Sequence, residues 1–121
     1  MATREAEATV RRRDGVAVID LVGDINSGAE QALEGAWQEA MRERPEAVAL
    51  NFAGASYINS TGIALIVGLL ARARAEAIDM RAWGLTDHYR EIFEITRLAD
   101  FMQIAADESS ALSGAEGSND A

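Results

Sequence analysis

From Ala47 to Ala77 the chain reads A-V-A-L-N-F-A-G-A-S-Y-I-N-S-T-G-I-A-L-I-V-G-L-L-A-R-A-R-A-E-A. The run Ala47–Phe52, two residues beyond the only proline, Pro45, has the length and boundaries of a buried strand. After S-Y-I-N-S-T-G the apolar residues take up helical spacing, and a helix is expected from about Ser60 to Ala77. A buried strand leading into a helix admits few architectures. The simplest is a parallel sheet whose strands are joined by right-handed helical crossovers.

The flanking segments fit the same plan. Thr9–Arg13 and Val16–Val22 surround Asp14-Gly15, a dipeptide suited to the positive φ angles of a tight hairpin. Ser27, with Glu30 three residues on, is expected to cap a first helix whose buried face carries Ala29, Leu33, Ala36, Trp37, Ala40 and Met41. Beyond the central helix, Ile78–Trp83 reads as a strand, Gly84 as a turn and Thr86 as the cap of a third helix. Its buried side would carry Tyr89, Ile92, Phe93 and Thr96, and a last short strand is expected near Met102–Ala105. This predicts one α/β domain over residues 1–105, with a mixed, mostly parallel sheet and an N-terminal β-hairpin. Residues 106–121, acidic and rich in Ser and Gly, read as a mostly flexible tail beyond a turn around Leu112. The loops 23–26, 53–62 and 84–88 should gather at the carboxyl ends of the strands, where such sheets place function.

Composition removes several functions. Zero Cys excludes disulfides, thiolate chemistry and Cys-based zinc sites. All 11 bases are Arg, so a phosphate-loop lysine and a Schiff-base lysine are excluded, and no glycine-rich loop marks a nucleotide site. The single histidine, His88, has no acids spaced around it for a metal site. Hence no cofactor and no metal are expected. A net charge of −9 repels nucleic acid and anionic membranes. The longest apolar stretch, Gly62–Ala71, is far short of the about 20 residues that a bilayer requires. With no apolar signal core at the start, the reading is a cytoplasmic protein without membrane insertion.

Two readings of the hydroxyls at the mouth of the central helix stand side by side. Asn59, Ser60 or Thr61 can cap the helix by accepting from its free N–H groups. Alternatively Ser60 is phosphorylated, which sets three acceptor oxygens against those N–H groups at the positive end of the helix dipole. On a helical projection Ile63, Ile66, Val67, Leu70, Ala73 and Ala77 share the core face, which leaves Leu65 and Leu69 on the solvent side with Arg72 and Glu76. Together with Tyr57 and Ile58 the two leucines would form the apolar centre of a partner interface. Gly68, mid-helix, suggests the close approach of another backbone within the domain. Asp24, in the G-D-I-N loop, is a candidate partner contact or a solvated loop acid. Arg11–Arg13 reads as a solvated strand edge. A serine hydrolase using Ser60 and His88 is the alternative from another class, but G-x-S-x-G is absent and no acid is placed to orient His88.

The run from Ala47 to Ala73, with G-D-I-N before the first helix and W-G-L-T-D-H-Y-R-E-I-F-E-I-T-R-L-A-D-F-M-Q-I near the end, resembles STAS domains, in particular anti-sigma factor antagonists. The resemblance implies a binding protein rather than an enzyme. Its partners would be an anti-sigma factor that is also a serine kinase, and a serine phosphatase. It would work by partner switching in a stress response, releasing a sigma factor, as a monomer or weak homodimer. The phosphoacceptor would be Ser60, with Thr61 the second choice, and the partner surface would comprise Asp24, Ile25, Asn26, Tyr57, Ile58, Asn59, Thr61, Gly62, Leu65 and Leu69. Two positions depart from the family pattern, since Asn26 and Asn59 stand where Asp is usual. The alternative within the fold is a STAS scaffold that is not phosphorylated, in a signalling or transport assembly.

Overall fold

The computed structural model describes residues 4–118. Strands β1 (Glu7–Arg13) and β2 (Val16–Ile25) form the expected hairpin, and both turn residues have positive φ, 54° at Asp14 and 81° at Gly15. A short 3-10 turn (Ser27–Ala29) leads into α1 (Glu30–Met41). Then follow β3 (Ala47–Ile58), α2 (Ser60–Ala75), β4 (Asp79–Trp83), α3 (Asp87–Ile95), a second 3-10 turn (Leu98–Asp100), β5 (Gln103–Ile104) and α4 (Glu108–Ser118). The five strands lie in sequence order; β1 is antiparallel to β2 and every other pair is parallel. The α/β plan read from the sequence is the one observed.

Strand alternation divides the core in two. On one face Ile19, Leu21, Leu50, Phe52, Met80 and Ala82 pack beneath α1, α2 and α3. Phe52 meets Phe93 of α3 edge to face, with ring centroids 5.8 Å apart. On the other face Val16, Val18, Ala47, Ala49, Trp83 and Ala105 form a smaller cluster covered by Ala111 and Leu112 of α4.

That second layer corrects the expectation of a flexible tail. Residues 108–118 are helical, while residues 119–121 lie outside the described residues. Composition hid the helix because side chains far away in sequence hold it. The Arg11 guanidinium binds both Asp20 and Glu108, at 2.6 and 2.9 Å, and Arg13 reaches Glu108 at 3.0 Å. Arg81, nearly buried, donates to the Ala111 carbonyl at 2.7 Å. The arginine run is therefore no merely solvated edge. Its alternate residues do face opposite ways, since Arg12 turns to the other face and donates to the carbonyls of Glu39 and Ala40 at the C-terminal end of α1.

Two further boundaries differ. β3 continues through Ala53–Ile58 instead of ending at Phe52, because β2 also runs on and pairs with it as far as Ile25↔Ile58 across two register shifts. Residues 23–25 and 53–58 are thus strand, not loop. Nor does Ser27 cap the first helix; Asn26 Oδ1 accepts from the Gly28 N–H at 2.9 Å, and α1 follows without a side-chain cap.

Candidate functional site

The extended ends of β2 and β3 deliver the chain to the N-terminus of α2. Asp24 pairs with Tyr57 and Ile25 with Ile58. The junction is pinned from both sides: the Asn59 N–H donates to the Ile25 carbonyl at 3.2 Å, and the Ile58 N–H donates to Tyr89 Oη of α3 at 3.0 Å. Tyr89 is the contributor that sequence reasoning missed. Its helical spacing marked it as an apolar-side residue, and nothing local shows that its hydroxyl reaches a strand 31 residues earlier.

Gly62 lies against the end of β2. A Cβ at this position would fall inside contact distance of the Ile25 carbonyl, so only glycine lets the first turn of α2 approach so closely. At Gly68 an added Cβ would meet nothing within 4 Å. The close backbone approach expected at Gly68 therefore occurs at Gly62 instead.

Of the three candidate caps, Asn59 does the capping: its Oδ1 accepts from the Gly62 N–H at 2.8 Å, and its carbonyl takes the Ile63 N–H at 2.9 Å. Ser60 and Thr61 are exposed, and among the described residues neither hydroxyl has a hydrogen-bond partner. Their backbone N–H groups are likewise without protein acceptors among the described residues, so Ser60 Oγ stands at the positive end of a 16-residue helix. Among the described residues, the amides at the two departures from the family pattern each use only Oδ1, as acceptor for a backbone N–H. A carboxylate would do the same.

The expected partner residues divide by exposure. Tyr57 is 54% exposed, and Asp24 and Asn26 are half-buried. Ile25, Ile58 and Gly62 are buried and act as supports beneath the surface. The apolar centre placed on Leu65 and Leu69 is overturned: Leu69 is 4% exposed in the core, and Leu65 is half-buried against it. Val67, assigned to the core by projection, is 43% exposed. The reason is that α2 is flanked by α1 as well as by the sheet. Leu65 and Leu69 face α1 across a cleft lined by Leu33 and Glu34, and Arg72 closes it by binding Glu34 at 2.5 Å. Arg72 also lies over Trp37, and its hydrogen bond to Glu34 holds that carboxyl below its ordinary range.

His88 is exposed on the first turn of α3, its ring tilted against Tyr89 at 5.0 Å between centroids. Among the described residues no carboxylate bonds to it and no hydrogen bond joins it to Ser60, so the arrangement a serine hydrolase needs is not assembled. No three His, Asp or Glu side chains among them are grouped to hold a metal ion, and no helix is long and apolar enough to cross a membrane.

A family model described as the STAS domain matches residues 7–111. The chain belongs to the STAS domain family. The match runs past residue 105 into α4, in keeping with the ion pairs that tie Glu108 to the hairpin. No curated protein matches the sequence significantly. Among solved structures, this STAS domain is similar to an anti-sigma factor antagonist from Mycobacterium paratuberculosis, with 19% identity, TM-score 0.74 and coverage of 90% of this chain and 92% of that one. It is similar to the Bacillus cell fate determinant SpoIIAA in its phosphorylated form, with 20% identity, TM-score 0.68 and coverage of 88% and 97%. A sulfate transporter family protein from Wolinella succinogenes shares the fold at 16% identity, TM-score 0.74 and coverage of 88% of each chain. At such identities the likeness is one of fold.

Proposed function

We propose that this STAS domain is an anti-sigma factor antagonist. Unphosphorylated, it binds an anti-sigma factor serine kinase through the exposed Tyr57, Ser60 and Thr61 and the half-buried Asp24 and Asn26 beside them, and so frees the sigma factor. Phosphorylation of Ser60 ends that binding, and a serine phosphatase restores it.

One observation carries the reading: Asn59 caps α2 and leaves the Ser60 hydroxyl exposed and without an internal partner. A hydroxyl that capped the helix would have to surrender its bond to be modified; Ser60 has none to surrender. A phosphate there adds about −1.5 to −2 charges beside the open N–H groups of Ser60 and Thr61, which favour an anion. The fold is kept and the partner surface, which already carries Asp24, becomes more negative. In the kinase step Ser60 Oγ bonds to the γ-phosphorus of ATP, ADP leaves, and the hydroxyl proton passes to a base of the kinase.

The second reading, a STAS module whose binding ignores Ser60, is favoured by Asn26 and Asn59, which leave fewer carboxylates around the acceptor than the family pattern has. Intact mass with site mapping, on protein from its native cell with and without stress, separates the two. A single phosphate on Ser60 that varies with condition, absent from Ser60→Ala, is the expected result. If no phosphate is found in either condition and Ser60→Asp keeps full binding to the anti-sigma factor, the switch is excluded and the constitutive module stands.

A further inference from the structure

An apolar groove runs along the second half of α2, between that helix and the 3-10 turn after α3. Val67, Ala71 and Leu98 form its floor and walls, with Phe101 at its end, and it encloses about 290 Å³ while remaining open to solvent. Phe101 is 50% exposed, an unusual placement for a ring of this size. Past Phe101 and Arg74 a second hollow of about 420 Å³ continues the surface toward Ile78 and the start of β4. No element of the described chain covers either, since α4 packs on the opposite face of the sheet.

Charge indicates what the groove accepts. The chain carries −9 overall, yet both charged residues lining the groove are arginines, Arg74 and Arg97. Arg97 is paired with Asp100 at 2.5 Å. Arg74 has no carboxylate partner among the described residues; its guanidinium carbon sits 4.8 Å from the centroid of the Phe101 ring. An unpaired cation stacked on an exposed aromatic ring is suited to receive an anion and an apolar side chain together. Val67 and Arg74 are seven residues, or about 10 Å, apart along the helix. Two turns of a docked helix cover that length. Beside them the exposed face of α2 is low, with Ala64, Gly68 and Ala71, so a second helix can approach closely.

We infer that this groove is the docking site for an amphipathic helix of a partner protein, which lays apolar side chains over Val67 and Phe101 and presents a carboxylate to Arg74. A second copy of this chain is the less suitable occupant, because two bodies of −9 repel one another. The site lies apart from Ser60, and its test needs no phosphorylation.

The probe is a synthetic helical peptide with leucines at i, i+3 and i+7 and glutamates flanking them, compared with the same peptide carrying lysines for the glutamates. Both are titrated into the unphosphorylated ¹⁵N-labelled full chain. Amide shifts confined to residues 67–74 and 97–101, with the glutamate peptide binding about tenfold tighter or more, are expected. Arg74→Glu should reverse the preference while its other amide resonances stay in place. Equal affinity for both peptides, shifts centred elsewhere, or no shift up to about 1 mM peptide overturns the proposal. So does concentration-dependent broadening of the same amides without peptide, which would assign the groove to a second copy.

Discussion

Asn59 and the two glycines of α2 show how much a single position depends on what stands opposite it. Asn59→Ala removes the acceptor for the Gly62 N–H and should cost about 1 kcal/mol in urea unfolding. Asn59→Asp keeps the acceptor and adds a negative charge at the helix N-terminus, so at neutral pH it should match or exceed the parent by about 0.3–1 kcal/mol. The glycines should respond in opposite directions. Gly62→Ala drives a Cβ into the Ile25 carbonyl and is expected to lose about 3 kcal/mol or more. Gly68→Ala enters open space in mid-helix and should gain up to about 1 kcal/mol. The sequence showed three possible caps and two glycines in one stretch. It could not rank them, because the deciding partner of Gly62 is the carbonyl of a residue 37 positions earlier in the numbering.

At the scale of elements, α4 converts a one-sided sheet into a two-sided one. Cutting the chain after Ala106 removes the cover from Val16, Val18, Ala49 and Trp83, and should lower Tm and shift the Trp83 emission to the red. The clasp holding α4 is ionic and depends on pH. The hydrogen bonds from Arg11 hold both the Asp20 and the Glu108 carboxyls below their ordinary range. The unfolded chain therefore takes up protons at a higher pH than the folded one. The contribution of the clasp is complete above the usual carboxylate range and is lost as pH falls through the depressed folded values. Arg11→Gln should accordingly be less stable than the parent at neutral pH, and the difference in Tm should shrink as the pH is lowered from about 7 to about 3. A difference that holds constant over that range would show that Arg11 acts by packing. Thr86 was legible as a cap because its acceptor and donor lie three residues apart, whereas Arg11 and Glu108 are separated by 97 positions.

For the molecule as a whole, the Ser60 hydroxyl has no hydrogen-bond partner among the described residues, so a negative charge there should leave the fold alone. Ser60→Asp is expected to retain the parent's Tm within a few degrees, with amide shifts limited to the first turns of α2 and the ends of β2 and β3. Shifts spreading to α4 or β5 would mean that the site is coupled to the whole sheet. What the sequence by itself determined was the α/β order, the Asp14-Gly15 hairpin, the Thr86 cap and the place of Ser60 at a helix mouth. Each depends on residues within a few positions of one another, or on a period that any helix or strand must obey. Only the tertiary structure decided that β3 runs on to Ile58, that Leu69 is buried and Val67 exposed, and that residues 108–118 form a second layer. A period fixes angles about a helix's own axis, but α2 is apolar nearly all round, so its orientation was settled by α1, the sheet and the Arg72–Glu34 pair. The tail became a helix because arginines from the first and fourth strands supply partners that its own composition lacks.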